Sequence, residues 1–243
     1  MDIILEVIAF SIGSCEIIER SGGQRIELCD NPGEGGTTPS YGMIAGAREK
    51  TSIDLYPIIR PRGGDFLYTA DEFEVMKADV RICRQLGCDG VVTGILNADG
   101  SVDTARTAQL VELAYPMEVT FHRAFDRASD PLAAMEDIIS TGCERILTSG
   151  QKPTAMEGAG LIAELISKAA SRIIIMPGSG VRADNIELLA KQTGANEFHT
   201  SARTTSGSLM LFNQQSMKEQ LQEVIVDEAA LLAIKKNIVK LSR

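Results

Sequence analysis

Val119-Thr120-Phe121-His122-Arg123-Ala124-Phe125-Asp126 alternates in its first half and then stops alternating. Val119 and Phe121 share one parity, Thr120 and His122 the other, which is the period of a strand with two different faces. Beyond it, Ser129-Asp130-Pro131 supplies an N-cap and a proline at the first helical position. A strand therefore ends at His122 and delivers a His, an Arg and an Asp into the loop that follows.

The same strand, loop and helix unit recurs along the chain. Apolar or alternating runs are read at 3–8, 25–29, 53–60, 90–94, 118–122, 145–150, 172–176 and 197–201. Helical patterns follow from Ser11 or Ser14 to Arg20, after Pro39, and at 71–86, 103–114, 131–140, 158–170 and 182–192. Several stop at a glycine, such as Gly142 and Gly194. A loop from Ala202 leads to a last helical region at 217–239. Eight such units in 243 residues predict an α/β fold, a (β/α)8 TIM barrel with a closed parallel sheet. No G-x-G-x-x-G follows the first strand, which argues against an open nucleotide-binding sheet. With no linker or charge run to divide it, 1–243 reads as one domain: strands and helices over 3–202, then a C-terminal loop and helical region over 203–243.

Composition narrows the partners. A net charge of -9 and a pI near 4.9 disfavour nucleic acid and anionic membranes. No apolar run reaches the roughly 20 residues of a membrane span. The Met1-Asp2 start lacks the basic region of a signal peptide. Five cysteines, odd in number and loosely spaced, suit reduced thiols and a cytoplasmic location. Cys15, Cys83, Cys88 and Cys143 read as small buried hydrophobes.

Strand parity puts polar residues inside the barrel. Arg25, Glu27 and Cys29 oppose Ile26 and Leu28; Glu118, Thr120 and His122 oppose Val119 and Phe121; Glu197, His199 and Ser201 oppose Phe198. Glu6 shares its parity with Ile4 and Ile8. Unpaired buried charge costs several kcal/mol, so these groups pair with one another, meet water or meet a ligand. Cys29, Arg60, His122, Ser149 and His199 fall at strand C-terminal ends, where barrel sites are built, and the chain has only two histidines. Glu27, Arg60, His122 and His199 are the catalytic candidates. Arg60 would bind a carboxylate or phosphate through its fork, His122 would be the acid/base, and Glu27 would orient His122 or pair with Arg60. Gly178, Ser179 and Gly180, after the seventh strand, with Ser201 and Arg203 after the eighth, form a candidate anion cradle. Cys29 is the candidate metal ligand, thiolate being what copper(I) prefers.

The runs Arg25-Ile26-Glu27-Leu28-Cys29, Gly35-Gly36-Thr37-Thr38-Pro39-Ser40, Ile59-Arg60-Pro61-Arg62-Gly63-Gly64-Asp65-Phe66, Thr120-Phe121-His122-Arg123-Ala124-Phe125-Asp126, Arg145-Ile146-Leu147-Thr148-Ser149-Gly150 and Phe198-His199-Thr200-Ser201 resemble the copper homeostasis protein CutC family. The resemblance extends from the first strand to about Met210. It implies a TIM barrel in the cytoplasm, an association with copper homeostasis with copper as a possible ligand, and a homodimer or higher homo-oligomer. Members of that family often carry a cysteine after the Glu-Val of the first strand, where this chain has Ile8, so a two-cysteine copper site would lose one ligand. The other motifs are rich in Arg, Glu, His and Gly, which suits the alternative: an enzyme using acid/base chemistry on a small phosphorylated or carboxylated metabolite. The long loop with Phe66, Leu67 and Tyr68 offers apolar groups for an oligomer contact.

Overall fold

The computed structural model describes residues 3–219 and 221–241; the Met1-Asp2 start lies outside them. Eight parallel strands alternate with eight helices: β1 (Ile4–Ala9), α1 (Ile12–Arg20), β2 (Arg25–Leu28), α2 (Tyr41–Lys50), β3 (Asp54–Pro57), α3 (Ala70–Gln85), β4 (Gly90–Thr93), α4 (Thr104–Ala114), β5 (Glu118–Phe121), α5 (Pro131–Thr141), β6 (Arg145–Thr148), α6 (Ala159–Ala169), β7 (Ile174–Pro177), α7 (Ile186–Thr193) and β8 (Glu197–Thr200), then a hairpin of β9 (Arg203–Ser206) and β10 (Glu223–Val226), and α8 (Glu228–Leu241). The strands form two parallel four-stranded sheets, β3-β2-β1-β8 and β4-β5-β6-β7. They meet where Ile58 bridges to Val92 and where β7 lies beside β8. This is the (β/α)8 barrel.

Local chemistry sets the boundaries. Ser11 caps α1 by accepting the Ser14 N–H, and Ser40, not Pro39, caps α2. Thr69 and Glu72 form a reciprocal capping box at α3, and Asp130 caps α5 with Pro131 behind it. Gly142 and Gly194 end their helices at φ 85° and 74°, where a side chain would be strained. The third strand, expected over 53–60, keeps its regular ladder only to Pro57, which has no N–H to donate. Beyond it, Ile58 N–H still donates to Leu28 O of β2 at 3.0 Å, and Ile59 N–H reaches across to the neighbouring sheet, donating to Val92 O at 2.7 Å.

The larger departure is at the C-terminus. The region expected to be helical over 217–239 is a 3-10 turn at 215–217, then β10, paired antiparallel to β9, and only then α8. The run Glu223-Val224-Ile225-Val226 carries three β-branched residues, whose stiff side chains favour a strand. α8 buries Leu231, Ile234 and Ile238 and packs between α7 and α1, completing the helical ring. Arg20 holds its start through a two-pronged ion pair with Glu228 at 2.8 Å. The main core lies between strands and helices, where Leu5, Val7, Ile26, Leu28, Val119, Phe121, Ile146 and Phe198 are sealed from solvent. No helix among the described residues is long and apolar enough to cross a membrane.

Candidate active site at the barrel mouth

Inside the barrel most of the expected polar residues are buried: Glu6, Arg25, Glu27, Thr120, His122, Glu197 and His199 are each under one-tenth exposed and are joined by Arg145, whereas Glu118 is half-buried and Ser201 exposed. Their pairing follows the strand register. β1 places Glu6 opposite Arg25 on one side and His199 on the other. Arg25 Nε donates to Glu6 at 3.1 Å, and the rest of its guanidinium meets Glu197. Arg145 Nε also donates to Glu197, at 2.7 Å, while its other nitrogens reach Thr120 and Glu118. Tyr56 O–H donates to Glu118 at 2.6 Å. The lower barrel is thus a satisfied ion-pair network.

Above it the charges no longer cancel. His199 Nδ1–H donates to Glu6 at 2.8 Å, and its Nε2 lies 3.7 Å from Glu27. Burial opposes protonation of His199, but the hydrogen bond to Glu6 and the charges of Glu27 and Glu6 outweigh it and raise its pKa. Burial would also raise Glu6, yet the His199 bond and the Arg25 charge leave it below the usual carboxylate value. Glu27 has no arginine partner. Burial pushes its carboxyl up to about 7, with His199 pulling the other way.

These groups open onto a cavity of about 760 Å³ at the C-terminal ends of the strands. Glu27, Arg60, His122, His199, Ser179, Gly180, Ser201 and Arg203 all line it, so one mouth gathers most of the residues singled out in the sequence. Their roles are distributed differently. Arg60 does not pair with Glu27: its fork is occupied by backbone carbonyls, with one terminal nitrogen donating to Glu34 O and Gly36 O at 2.7 Å and the other to Gly64 O at 3.0 Å. The two loops that fold over it have carbonyls to satisfy, so Arg60 offers the cavity charge rather than a free fork. Glu27 does not orient His122 either; β2 neighbours β1, which brings it to His199 instead. His122 is held by its own turn, Nδ1 accepting the Ala124 N–H at 3.1 Å. Burial, with the Arg60 charge beside it, lowers His122 to about 3, far from the neutral value an acid/base needs.

Gly178 leaves the proposed cradle. Its N–H donates to Thr148 O at 2.9 Å, and an added Cβ would lie 2.4 Å from the Leu147 side chain. It admits close packing, and the anion candidates reduce to Ser179, Gly180, Ser201 and Arg203. Asp126 was quoted in the sequence but given no role. It ties the turn to β6, accepting from Thr148 O–H at 2.5 Å, Ser149 N–H and O–H, Gln151 N–H and Arg123 Nε. Arg145, which joins Glu118 and Glu197 in the lower network, was likewise quoted in the sequence but given no role. Glu6 carried a signal: it is the one charge in an otherwise apolar strand.

The donor set does not fit copper(I). Among the described residues, Glu6, Glu27 and His199 form the only group of three His, Cys, Asp or Glu donors near enough to share an ion. Two carboxylates and an imidazole are harder ligands than copper(I) favours. Cys29 stands outside that group, sealed from solvent among Tyr56, Ile58 and Val92. Burial and the Glu27 and Glu6 charges hold its thiol protonated, well above the usual range. Ile8, the other residue of interest, lines the cavity with an apolar side chain.

Comparison with known proteins accords with this geometry. A " family protein CutC" of Chromobacterium violaceum is 57% identical over 214 residues, 88% of this chain and 87% of that one. The "Copper homeostasis protein cutC homolog" of Homo sapiens is 46% identical over 214 residues, 88% of this chain and 78% of that one. The crystal structure of the putative copper homeostasis protein CutC from Streptococcus agalactiae superposes with a TM-score of 0.78 at 34% identity, covering 82% of this chain and 98% of the other. The CutC family model matches residues 3–204, all eight barrel strands, and the chain belongs to the CutC family.

Proposed function

We propose that the barrel mouth binds a small phosphorylated or carboxylated metabolite and performs acid/base chemistry on it, and that any part in copper homeostasis, the role in the Homo sapiens relative's name, runs through that metabolite. The observation that carries this reading is His199 suspended between Glu6 and Glu27 on the wall of the cavity. Glu6 fixes the ring through Nδ1, Nε2 faces Glu27, and Glu27 takes or gives a proton near neutral pH. Charge supports the anion. Although the whole chain is acidic, the cavity wall carries Arg60, Arg123, Arg127, Lys152 and Arg203 against Glu27, Glu34 and Asp126. We assign the anionic group to the part of the cavity lined by Ser179, Gly180, Ser201 and Arg203, with Arg203 supplying the charge.

A thermal-shift screen of phosphorylated and carboxylated metabolites tests this. A ligand that stabilises wild type is expected to lose its effect with His199→Gln. No stabilising compound across the screen would sink the reading. Copper is tested separately by titrating copper(I) into wild type and Cys29→Ser; equal affinity is expected, and tighter binding by wild type would restore a direct copper site. We further place the protein in the cytoplasm, a location supported by five unpaired, buried cysteines, and as a homo-oligomer, supported by the exposed Leu209, Met210, Leu211 and Phe212 between β9 and β10. In the loop first suspected of this contact, Tyr68 is buried and Phe66 packs against His122 and Arg60, while Leu67 is exposed and stays available to a partner.

A further inference from the structure

His122 leaves one polar atom without a partner. Its Nδ1 accepts the Ala124 N–H. An amide N–H only donates, so Nδ1 holds a lone pair and the ring proton sits on Nε2. Nε2, at the opposite edge of the ring, is buried and bonds nothing among the described residues. The ring is firmly held. Phe66 covers it with centroids 4.9 Å apart, and Gly94 makes room for it, since a Cβ there would lie 2.6 Å from Nδ1. Protonation would set a second N–H against the Ala124 amide, in the field of Arg60. A buried donor without an acceptor costs about 1–3 kcal/mol. The residue lines the cavity from β5, in the sheet opposite the one that carries Glu27 and His199.

We propose that His122 donates its Nε2–H to the carbonyl oxygen of a small anionic carbonyl compound, and to the enolate oxygen formed when Glu27 removes a proton from the adjacent carbon. The inference rests on the metabolite reading and names its substrate class. In the step, the C–H bond breaks and the proton passes to a Glu27 carboxylate oxygen. The C–H electron pair becomes the C=C bond as the carbonyl π pair moves onto oxygen. His122 keeps its proton and hydrogen-bonds the new oxyanion; Glu27 returns its proton to the carbon it came from as the carbonyl re-forms, so hydrogen exchange or epimerisation at that carbon needs no oxidant. A neutral imidazole suits this task because its N–H stabilises the oxyanion without surrendering the proton.

With only two histidines in the chain, long-range proton–nitrogen spectra of histidine-labelled protein resolve both rings. His122 is expected to remain the neutral Nε2–H tautomer from about pH 8 to about pH 5. Oxalate, a planar mimic of an enolate, is expected to shift that Nε2–H resonance. His122→Gln, which keeps an N–H donor, is expected to retain oxalate binding. His122→Asn, whose shorter amide can meet the Ala124 N–H but cannot place a donor at the Nε2 position, should bind about tenfold more weakly or worse, as the loss of one hydrogen bond to a charged group predicts. An imidazolium at His122 within that range, an unmoved resonance with oxalate, or wild-type affinity in His122→Asn would each overturn the proposal. The wild-type spectrum decides even where a variant does not fold. A metabolite screen without hits fails the site reading whatever the tautomer, whereas a hit alongside a charged His122 fails this inference alone.

Discussion

His122 and His199 occupy strand ends of one barrel yet prefer different protonation states, neutral and cationic, because one accepts from an amide and the other donates to a carboxylate. The pH dependence of stability separates them. His122 takes a proton near 6.5 when unfolded but only near 3 when folded. The unfolded chain therefore binds the proton first, and stability present above 6.5 is lost as pH falls toward 3, by on the order of 5 kcal/mol. His122→Gln cannot titrate, so its denaturation midpoint should fall less on acidification than that of wild type; parallel curves would refute the assignment. Glu27 has the opposite sign. Its carboxyl is raised from 4.5 to about 7, so stability is lost as pH rises through that window, on the order of 3 kcal/mol. Glu27→Gln should accordingly melt above wild type at neutral pH, while losing any turnover found for the wild type. His199, raised, favours folding below 6.5 and loses that contribution as pH climbs through its folded value. Strand parity was enough to point both rings inward. It could not assign their charge, since Glu6 lies 193 residues from His199 and becomes its neighbour only through the β1–β8 register.

The element that most shapes the mouth is β5 with the 3-10 turn at 123–127. Asp126 fastens that turn to the end of β6, and Ser149 passes the contact on to Lys152 O at 2.5 Å. Removing it would strand several buried donors at once. Asp126→Ala should cost about 2–4 kcal/mol and raise hydrogen exchange at the amides of Ser149 and Gln151, whereas Asp126→Asn should retain part of both. A change of melting temperature within error for Asp126→Ala would show the tie to be superfluous. Helix starts and stops were readable because caps are local: Asp130-Pro131 and Gly142 act on their own turns. The β9–β10 hairpin was not, because β10, which begins at Glu223, finds its partner in a strand that ended at Ser206. The fork of Arg60 was misjudged for a related reason: its acceptors come from two loops, and only Gly64 is near in sequence.

At the scale of the whole molecule, the barrel replaces an apolar filling with Arg25, Arg145, Glu6, Glu118 and Glu197 in mutual contact. Breaking such a network from one side costs more than it returns when intact. Arg145→Ala should therefore lower stability by about 3–5 kcal/mol, read from denaturant midpoints, and a loss under 1 kcal/mol, roughly the worth of a solvent-exposed pair, would mean the interior is wetter than its burial implies. Light scattering is expected to show a homo-oligomer that Leu211→Asp weakens; a monomeric wild type would leave the exposed Leu209 to Phe212 segment unexplained. The register of β1 between β2 and β8 has one more consequence. Glu6 lies in the first strand of the barrel and His199 in the last, so their hydrogen bond does not exist until both ends of the barrel sequence have met. A chain emerging from the ribosome keeps Glu6 without its histidine until residue 199 is made, and a fragment cut short of β8 lacks the contact altogether.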